Sequence, residues 1–518
     1  MKPTTFFFYD LETTGLDPRE DRIMQFAGQR TDQNLNPIGA PVNLLVKIQP
    51  DVLPNPTALA VTKISPQDTM ADGLTEPEFC REAIENIFTE NTIALGYNTV
   101  RFDDEFMRFT FWRNFHDPYE WQWKNGRSRW DLLDVVRFVR ALRPEGINWP
   151  FYDAEKNLVT EVTSPSGEKN YYRVDENGQP TSDLATPDPE RGFVENNRLE
   201  FITKLNGVKH EHAHDALSDV YATISVARLL REKQPKMFDY LLNMRNKKSI
   251  QALLEKGQPF VYASGRISGE HHKTSVVASL GATKNGKYLV YDLRHNPTEV
   301  LNALKSGERK SLYGVAKELA TNKCPAIAPL GTLEQGSGWE KLGLTADLIR
   351  EHLNLLRQNR ELIDLARKEF AEKSAQYEVE LPPEDAQKLL AEKSEKLQKY
   401  LSNDPETKLY DGFINDQIDK QICAEIRSAD SPTMLRKVKT AEFGDPRLKE
   451  MFLHYKGRNF PELLSEEEHA IWEKYRQTRL QGQEKYFVAQ LQSIAADPAN
   501  SAIVEDLKLY YESLAGDY

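Results

Sequence analysis

The chain has 518 residues, more than a single hydrophobic core serves, so two or three domains are expected. Its 67 basic and 79 acidic residues give a net charge of −12, and the scattered Cys80, Cys324 and Cys423 exclude a disulfide framework or a cysteine zinc site. The apolar run near the amino terminus is too short for a signal peptide, and no stretch nears the roughly 18 apolar residues of a membrane span, so a cytoplasmic protein without a membrane partner is expected.

The first element is FFFYDLETTG, residues 6–15. Its apolar run reads as a buried strand that delivers Asp10 and Glu12 to one face, because side chains two apart along a strand point the same way. Two acids at the end of an apolar strand repel each other unless a cation lies between them, and Mg²⁺ is the common hard cation for oxygen ligands. A plain strand-end turn fits the same residues, so the rest of the chain decides. RIMQFAGQRT (22–31) and VNLLVKI (42–48) read as further strands, EFCREAIENIFTE (78–90) as a helix and TIALGYN (92–98) as a short buried strand. This order predicts an α/β domain with a mixed sheet.

In VRFDDEFMRFTFWRNF (100–115), Phe102, Phe106 and Phe109 recur at helical spacing and place Asp103 and Asp104 in the first turn. Acids are favourable there for helix-dipole reasons alone; the functional reading is that Asp103 faces Asp10 and Glu12. Residues 108–143 interleave arginines with Trp112, Tyr119, Trp121, Trp123 and Trp130, a mixture suited to stacking unpaired bases and holding phosphates. Trp112 and Trp130 are expected in the core, Tyr119 and Trp123 on the surface.

Between about 151 and 195 the composition turns polar, with SPSG (164–167) as a hairpin followed by a loose Pro/Asp-rich tail, and a surface insertion without chemistry is expected. RLEFITKLNG (198–207) resumes helix. HEHAHDALSDVYATISVARLL (210–230) then sets His214 and Asp219 at a helix start; an imidazole titrating near neutrality suits a general base, and Asp219 can complete a metal set, although a histidine before a helix also serves as a cap or surface group. Lys236–Cys324 holds 15 basic and 7 acidic residues, net +8, against 52 and 72, net −20, elsewhere. This basic module, which suggests a polyanion partner, reads as a small β-barrel with attached helices. From about Glu351 the pattern is helical, with Ser431-Pro432 and Ser465 with Glu468 marking helix starts.

Taken together, DLET, GYNTVRFDDEFMRFTFWRNFHDPYEW, RWDLLDVVRFVRALRPEGINWP, NRLEFITKLNG, HAHDALSDVYATISVARLL, NKCPAIAP, KLYDGF and HYKGRNFP closely resemble bacterial exonuclease I, a DEDDh 3′→5′ exonuclease. The resemblance implies an RNase H-like exonuclease domain at 1–235, an SH3-like β-barrel domain at 236–355 and an α-helical domain at 356–518, forming a C-shaped clamp around single-stranded DNA. It implies two Mg²⁺ ions, replaceable by Mn²⁺, on Asp10, Glu12, Asp103 and Asp219, with His214 as general base. Asp103 rather than Asp104, and Asp219 rather than Asp215, match the ligand positions. Glu12 and Arg198 fall where the family holds the terminal nucleotide. Arg108, Tyr119, Trp123, Arg137, Lys247, Lys317, Asn322 and Tyr410 fall at DNA-contact positions. Arg143 and Arg357 are placed to receive the acidic tail of single-stranded DNA-binding protein. The implied activity is release of 5′-mononucleotides from single-stranded DNA in repair and recombination, by a monomer. Competing readings are an RNA 3′-end trimming enzyme, a proofreading subunit and an inactive DNA-binding module. The insertion is longer than the family pattern.

Overall fold

The computed structural model describes residues 3–164, 166–208, 210, 215–283, 286–308, 310–376 and 403–515. The opening sheet consists of β1 (Thr5–Thr13), β2 (Ile23–Thr31), β3 (Val42–Leu45), β4 (Thr92–Gly96) and β5 (Ser128–Asp131), in the order β3-β2-β1-β4-β5. β1 runs antiparallel to β2 and parallel to β4, so the sheet is mixed, as expected. Alternation divides β1 between two cores. Phe6 and Phe8 pack with Val220 and Ile224 of the helix Ala216–Lys233, whereas Phe7, Tyr9 and Leu11 pack with Phe106, Met107 and Phe111 of the helix Asp103–Arg113. Asp10 and Glu12 therefore continue the face that the helix Ala216–Lys233 covers.

The segment expected to be a loose insertion is ordered. β6 (Pro150–Tyr152), β7 (Leu158–Thr163), β8 (Lys169–Val174), β9 (Pro180–Leu184) and β10 (Val194–Glu195) form an antiparallel sheet in the order β10-β6-β7-β8-β9. The predicted hairpin is present as β7–β8, but the tail is not loose. Its turn-rich composition hid short strands of two to six residues: β6 to β9 pair as successive hairpins, and β10 returns from about 40 residues away to pair with β6. On the inner face Tyr171 stacks on Phe193 at 4.0 Å and meets Phe151 edge-on at 5.1 Å, while Arg140 lies over Phe151.

The basic module contains β11 (Phe260–Ala263), β12 (Thr274–Ala282), β13 (Tyr288–Asp292), β14 (Ala316–Leu319) and β15 (Ala326–Pro329), ordered β14-β13-β12-β11-β15. Its hydrogen bonding does not close into a barrel, because β14 and β15 remain edges. The helices Ala346–Gln358 and Arg360–Gln376 pack on this sheet through Ile349, Leu356, Leu362 and Ala366, and a cut after residue 355 would divide the first of them.

The described remainder is helical. Ser465 and Glu468 form a reciprocal capping box on the 29-residue helix Glu466–Ile494, and a short helix follows Ser431 at Pro432. Two apolar seams join this part to the opening domain: Phe109, Trp112 and Phe115 meet Ile422, Met451 and Tyr455, and Met24, Ile48 and Leu53 meet Phe487, Leu507 and Tyr510. Between them lies a buried ion network. Arg458 reaches Asp51 and Glu406, each at 2.7 Å, Arg22 reaches Glu406 at 3.3 Å, and Arg479 reaches Asp404 at 3.3 Å. Asp404, Glu406 and His454 have the geometry of a metal group, but the guanidinium groups already neutralise them. Among the described residues no helix is long and apolar enough to cross a membrane.

Candidate active site

β1 and β4 are hydrogen-bonded neighbours only as far as Phe8 opposite Leu95. At that point the chains nearly touch: a Cβ on Gly96 would stand 2.5 Å from the Tyr9 carbonyl, so glycine is required. Beyond it, the Leu11 N–H, between Asp10 and Glu12, donates to Asp103 Oδ1 at 3.0 Å. Asp103 thus completes an unfinished strand edge and arrives beside the two strand acids. From the other side, the first turn of the helix Ala216–Lys233 brings Asp219, whose carboxylate lies within 4.8 Å of those of Asp10 and Glu12.

Asp10, Glu12 and Asp103, so placed, resist ionisation. Burial, then the charges of Asp103, Glu12 and Asp219, hold Asp10 well above the usual carboxylate range. Burial, then Asp219 and Asp103, push Glu12 up to about 8. Asp103 is raised chiefly by burial, against the opposing Leu11 N–H. No Lys or Arg pairs with Asp10, Glu12 or Asp103 among the described residues. A hard divalent cation with oxygen ligands fits this set and would relieve its repulsion.

The two adjacent acids left aside have other partners. Asp215 caps the helix, accepting from Ser218 N at 3.3 Å, and Asp104 is hydrogen-bonded to the Tyr9 hydroxyl at 2.6 Å. His214 lies outside the described residues. The imidazole found on Asp219 is that of His210, Nε2 to Oδ1 at 2.5 Å, with Nδ1 3.2 Å from Thr203 Oγ1. Sequence reading missed His210, since HEHAHD offers several histidines and spacing alone does not rank them.

Arg198 is exposed at the start of the helix Leu199–Leu205, 3.5 Å from Glu200. Arg108, Tyr119 and Tyr410 come together from distant parts of the chain. Arg108 is buried between Glu105 at 2.6 Å and Gln122 at 3.0 Å, with Tyr119 beneath its guanidinium, and the Tyr410 hydroxyl donates to Glu105. Arg108 is thus largely committed within the protein rather than a free phosphate ligand. Phe413, which sequence reading did not select although it ends KLYDGF, is 73% exposed and edge-on to Tyr119 at 5.6 Å. Trp123 is 64% exposed, whereas Trp112 and Trp130 are buried, as expected.

Arg137 pairs with Asp134 at 2.7 Å, and Lys317 is buried with Nζ on the Gly314 carbonyl at 2.7 Å. Lys247 begins an exposed helical turn, and Asn322 is exposed while its carbonyl accepts from Arg129. Arg143 donates to the Thr332 carbonyl at 2.8 Å; Arg357 is exposed in the last turn of its helix.

Comparison with known proteins agrees with this architecture. A family model described as Exonuclease matches residues 7–162, one described as Exonuclease I SH3-like domain matches 245–372, and one described as Exonuclease I C-terminal domain matches 403–514. Exodeoxyribonuclease I of Haemophilus influenzae is 35% identical, over 99% of this chain and 98% of its own. A zinc-bound Escherichia coli exonuclease I complex with single-stranded DNA superposes with a TM-score of 0.78 at 32% identity, covering 99% of this chain and 100% of the other. A structure of exonuclease I with SSB and the inhibitor CFAM gives 0.77 at 31%, with the same coverage.

Proposed function

The chain belongs to the exonuclease I family and is a 3′→5′ exonuclease of single-stranded DNA, and on that premise we propose that Asp10, Glu12, Asp103 and Asp219 hold two Mg²⁺ ions at its active site. The observation that carries this reading is the convergence of Asp10, Glu12 and Asp219 within 4.8 Å, with Asp103 on the intervening Leu11 N–H. Divalent ions supply Lewis-acid stabilisation of the phosphodiester and a more acidic attacking water.

The side chains then divide the work. His214 accepts the proton of the attacking water, Arg198 and Glu12 orient the terminal nucleotide, and Asp10, Glu12, Asp103 and Asp219 would hold the divalent ions. Trp123, Tyr119 and Phe413 present aromatic faces to unpaired bases, a reading favoured by the exposure of Trp123 and Phe413 and by the contact of Phe413 with Tyr119. Lys247, Arg137, Lys317, Asn322, Arg108 and Tyr410 line the strand's path in this reading, with Arg108 and Tyr410 acting mainly by holding Tyr119 and Glu105 in place. Mn²⁺ substitutes for Mg²⁺. Arg143 and Arg357 receive the tail of single-stranded DNA-binding protein, and the enzyme works as a cytoplasmic monomer. Three units are proposed, at 1–235, from 236 and through 518. Packing favours keeping the helix Arg360–Gln376 with the second.

The deciding experiment is product analysis on 3′-labelled single-stranded DNA, with RNA in parallel. Release of 5′-mononucleotides from DNA with Mg²⁺, abolished by EDTA, is expected; preferential RNA trimming, or binding without release, overturns the reading.

A further inference from the structure

Asp104 stands next to a proposed metal ligand, is 1% exposed and takes no part in the site described above. Its carboxylate is nevertheless fully engaged. Oδ1 accepts from the Tyr9 hydroxyl at 2.6 Å, and Oδ2 takes Arg129 Nη1 in an ion pair. Arg129, on β5, uses Nη2 to reach the Asn322 carbonyl in the turn between β14 and β15, and its own carbonyl accepts the Cys324 thiol at 3.1 Å. Tyr9 is itself fixed: its ring stacks on Phe26 at 5.7 Å and meets Phe88 and Trp121 edge-on.

The placement of these contacts matters more than their number. Tyr9 immediately precedes Asp10, and Asp104 immediately follows Asp103. One hydrogen bond therefore joins the residues flanking two acids that repel each other, where the only other described hydrogen bond from β1 to this helical turn is that of the Leu11 N–H and the rest of the helix is held by apolar packing. Without restraint, repulsion would drive the first turn of the helix Asp103–Arg113 away from β1.

We propose that Asp104 is a positioning residue: held between the Tyr9 hydroxyl and the Arg129 guanidinium, it fixes Asp103 at the distance from Asp10 at which both can serve one cation, and ties that distance to the SH3-like module through Asn322. This rests on the metal-site reading given above. Groups that orient metal ligands typically contribute about 10- to 100-fold in metal affinity or activity.

The test is Mn²⁺ binding to the full chain, followed by calorimetry and by electron paramagnetic resonance, with melting measured in EDTA. Tyr9→Phe is the cleanest variant, because it removes one hydroxyl and changes no charge, leaving the Asp104–Arg129 pair intact. It is expected to remain folded and to bind Mn²⁺ about tenfold more weakly, with lost activity recovered at high metal and KM for DNA unchanged. Arg129→Lys, which keeps the charge but not the two-pronged reach, is expected to behave alike and serves if Tyr9→Phe does not fold. A folded Tyr9→Phe, or in its place a folded Arg129→Lys, that titrates like wild type overturns the proposal while leaving the metal site standing. Failure of the wild-type chain to bind Mn²⁺, or equal binding by Asp10→Ala, instead overturns the metal-site reading itself.

Discussion

Asp103 Oδ1 accepts the N–H of Leu11, a residue 92 positions earlier in the chain, at 3.0 Å. That bond gives Asp103 a structural duty besides its proposed metal duty, and the two can be separated. Asn in its place keeps an oxygen for the Leu11 N–H but loses the charge. Asp103→Asn should therefore melt near wild type while losing more than the roughly 10- to 100-fold typical of a supporting residue. Degradation of a 3′-labelled oligonucleotide, paired with a melting curve, measures both.

The raised acids make metal binding depend on pH. Glu12, pushed from 4.5 to about 8, is protonated at neutrality before a cation arrives, so binding must release protons. Calorimetry in buffers of different ionisation enthalpy should detect that release, with affinity climbing as pH rises towards 8. Stability of the metal-free protein follows the opposite sign. Between about 4.5 and 8 the folded state binds more protons than the unfolded state at Glu12, so this group's contribution falls as pH rises. Saturating Mg²⁺ should flatten that decline.

Two histidines divide the base question. Replacing a general base typically costs about 10²–10⁴-fold in rate, and His214→Ala is expected to fall in that range with metal binding retained. His210 contacts Asp219 directly, so His210→Ala should instead change the metal concentration needed for half-maximal rate. A metal titration of both variants checks the assignment; reversed phenotypes would make His210 the base.

Phe413 should stack on the strand. Aromatic stacking contributes about 1–3 kcal/mol per base, so Phe413→Ala is expected to raise KM for single-stranded DNA at little change in kcat. Trp123→Ala, at an equally open ring, should do the same, and fluorescence anisotropy with a labelled oligonucleotide reads both directly.

Arg458 joins Asp51 of the opening domain to Glu406 of the helical part with 4% of its side chain exposed. Arg458→Met leaves two buried carboxylates short of a partner, and breaking such pairs costs about 3–5 kcal/mol. A drop of that size in urea denaturation is expected, larger than that of a substitution at exposed Arg350.

The sequence by itself determined what short-range chemistry dictates. An apolar strand ending in Asp10 and Glu12, a first helical turn carrying Asp103 and Asp104, and the Ser465–Glu468 box all depend on neighbours a few residues away, and each is found where local pattern puts it. Likeness to a family selected Asp103 over Asp104, but the reason for the difference is tertiary. Successive helical residues point about 100° apart, so one acid meets the strand edge at Leu11 and the other the hydroxyl of Tyr9. The return of β10 to β6 in the turn-rich insertion, the closeness of Phe413 to Tyr119 and the seating of His210 on Asp219 likewise needed the folded chain, because each is a contact whose partners the local sequence does not name.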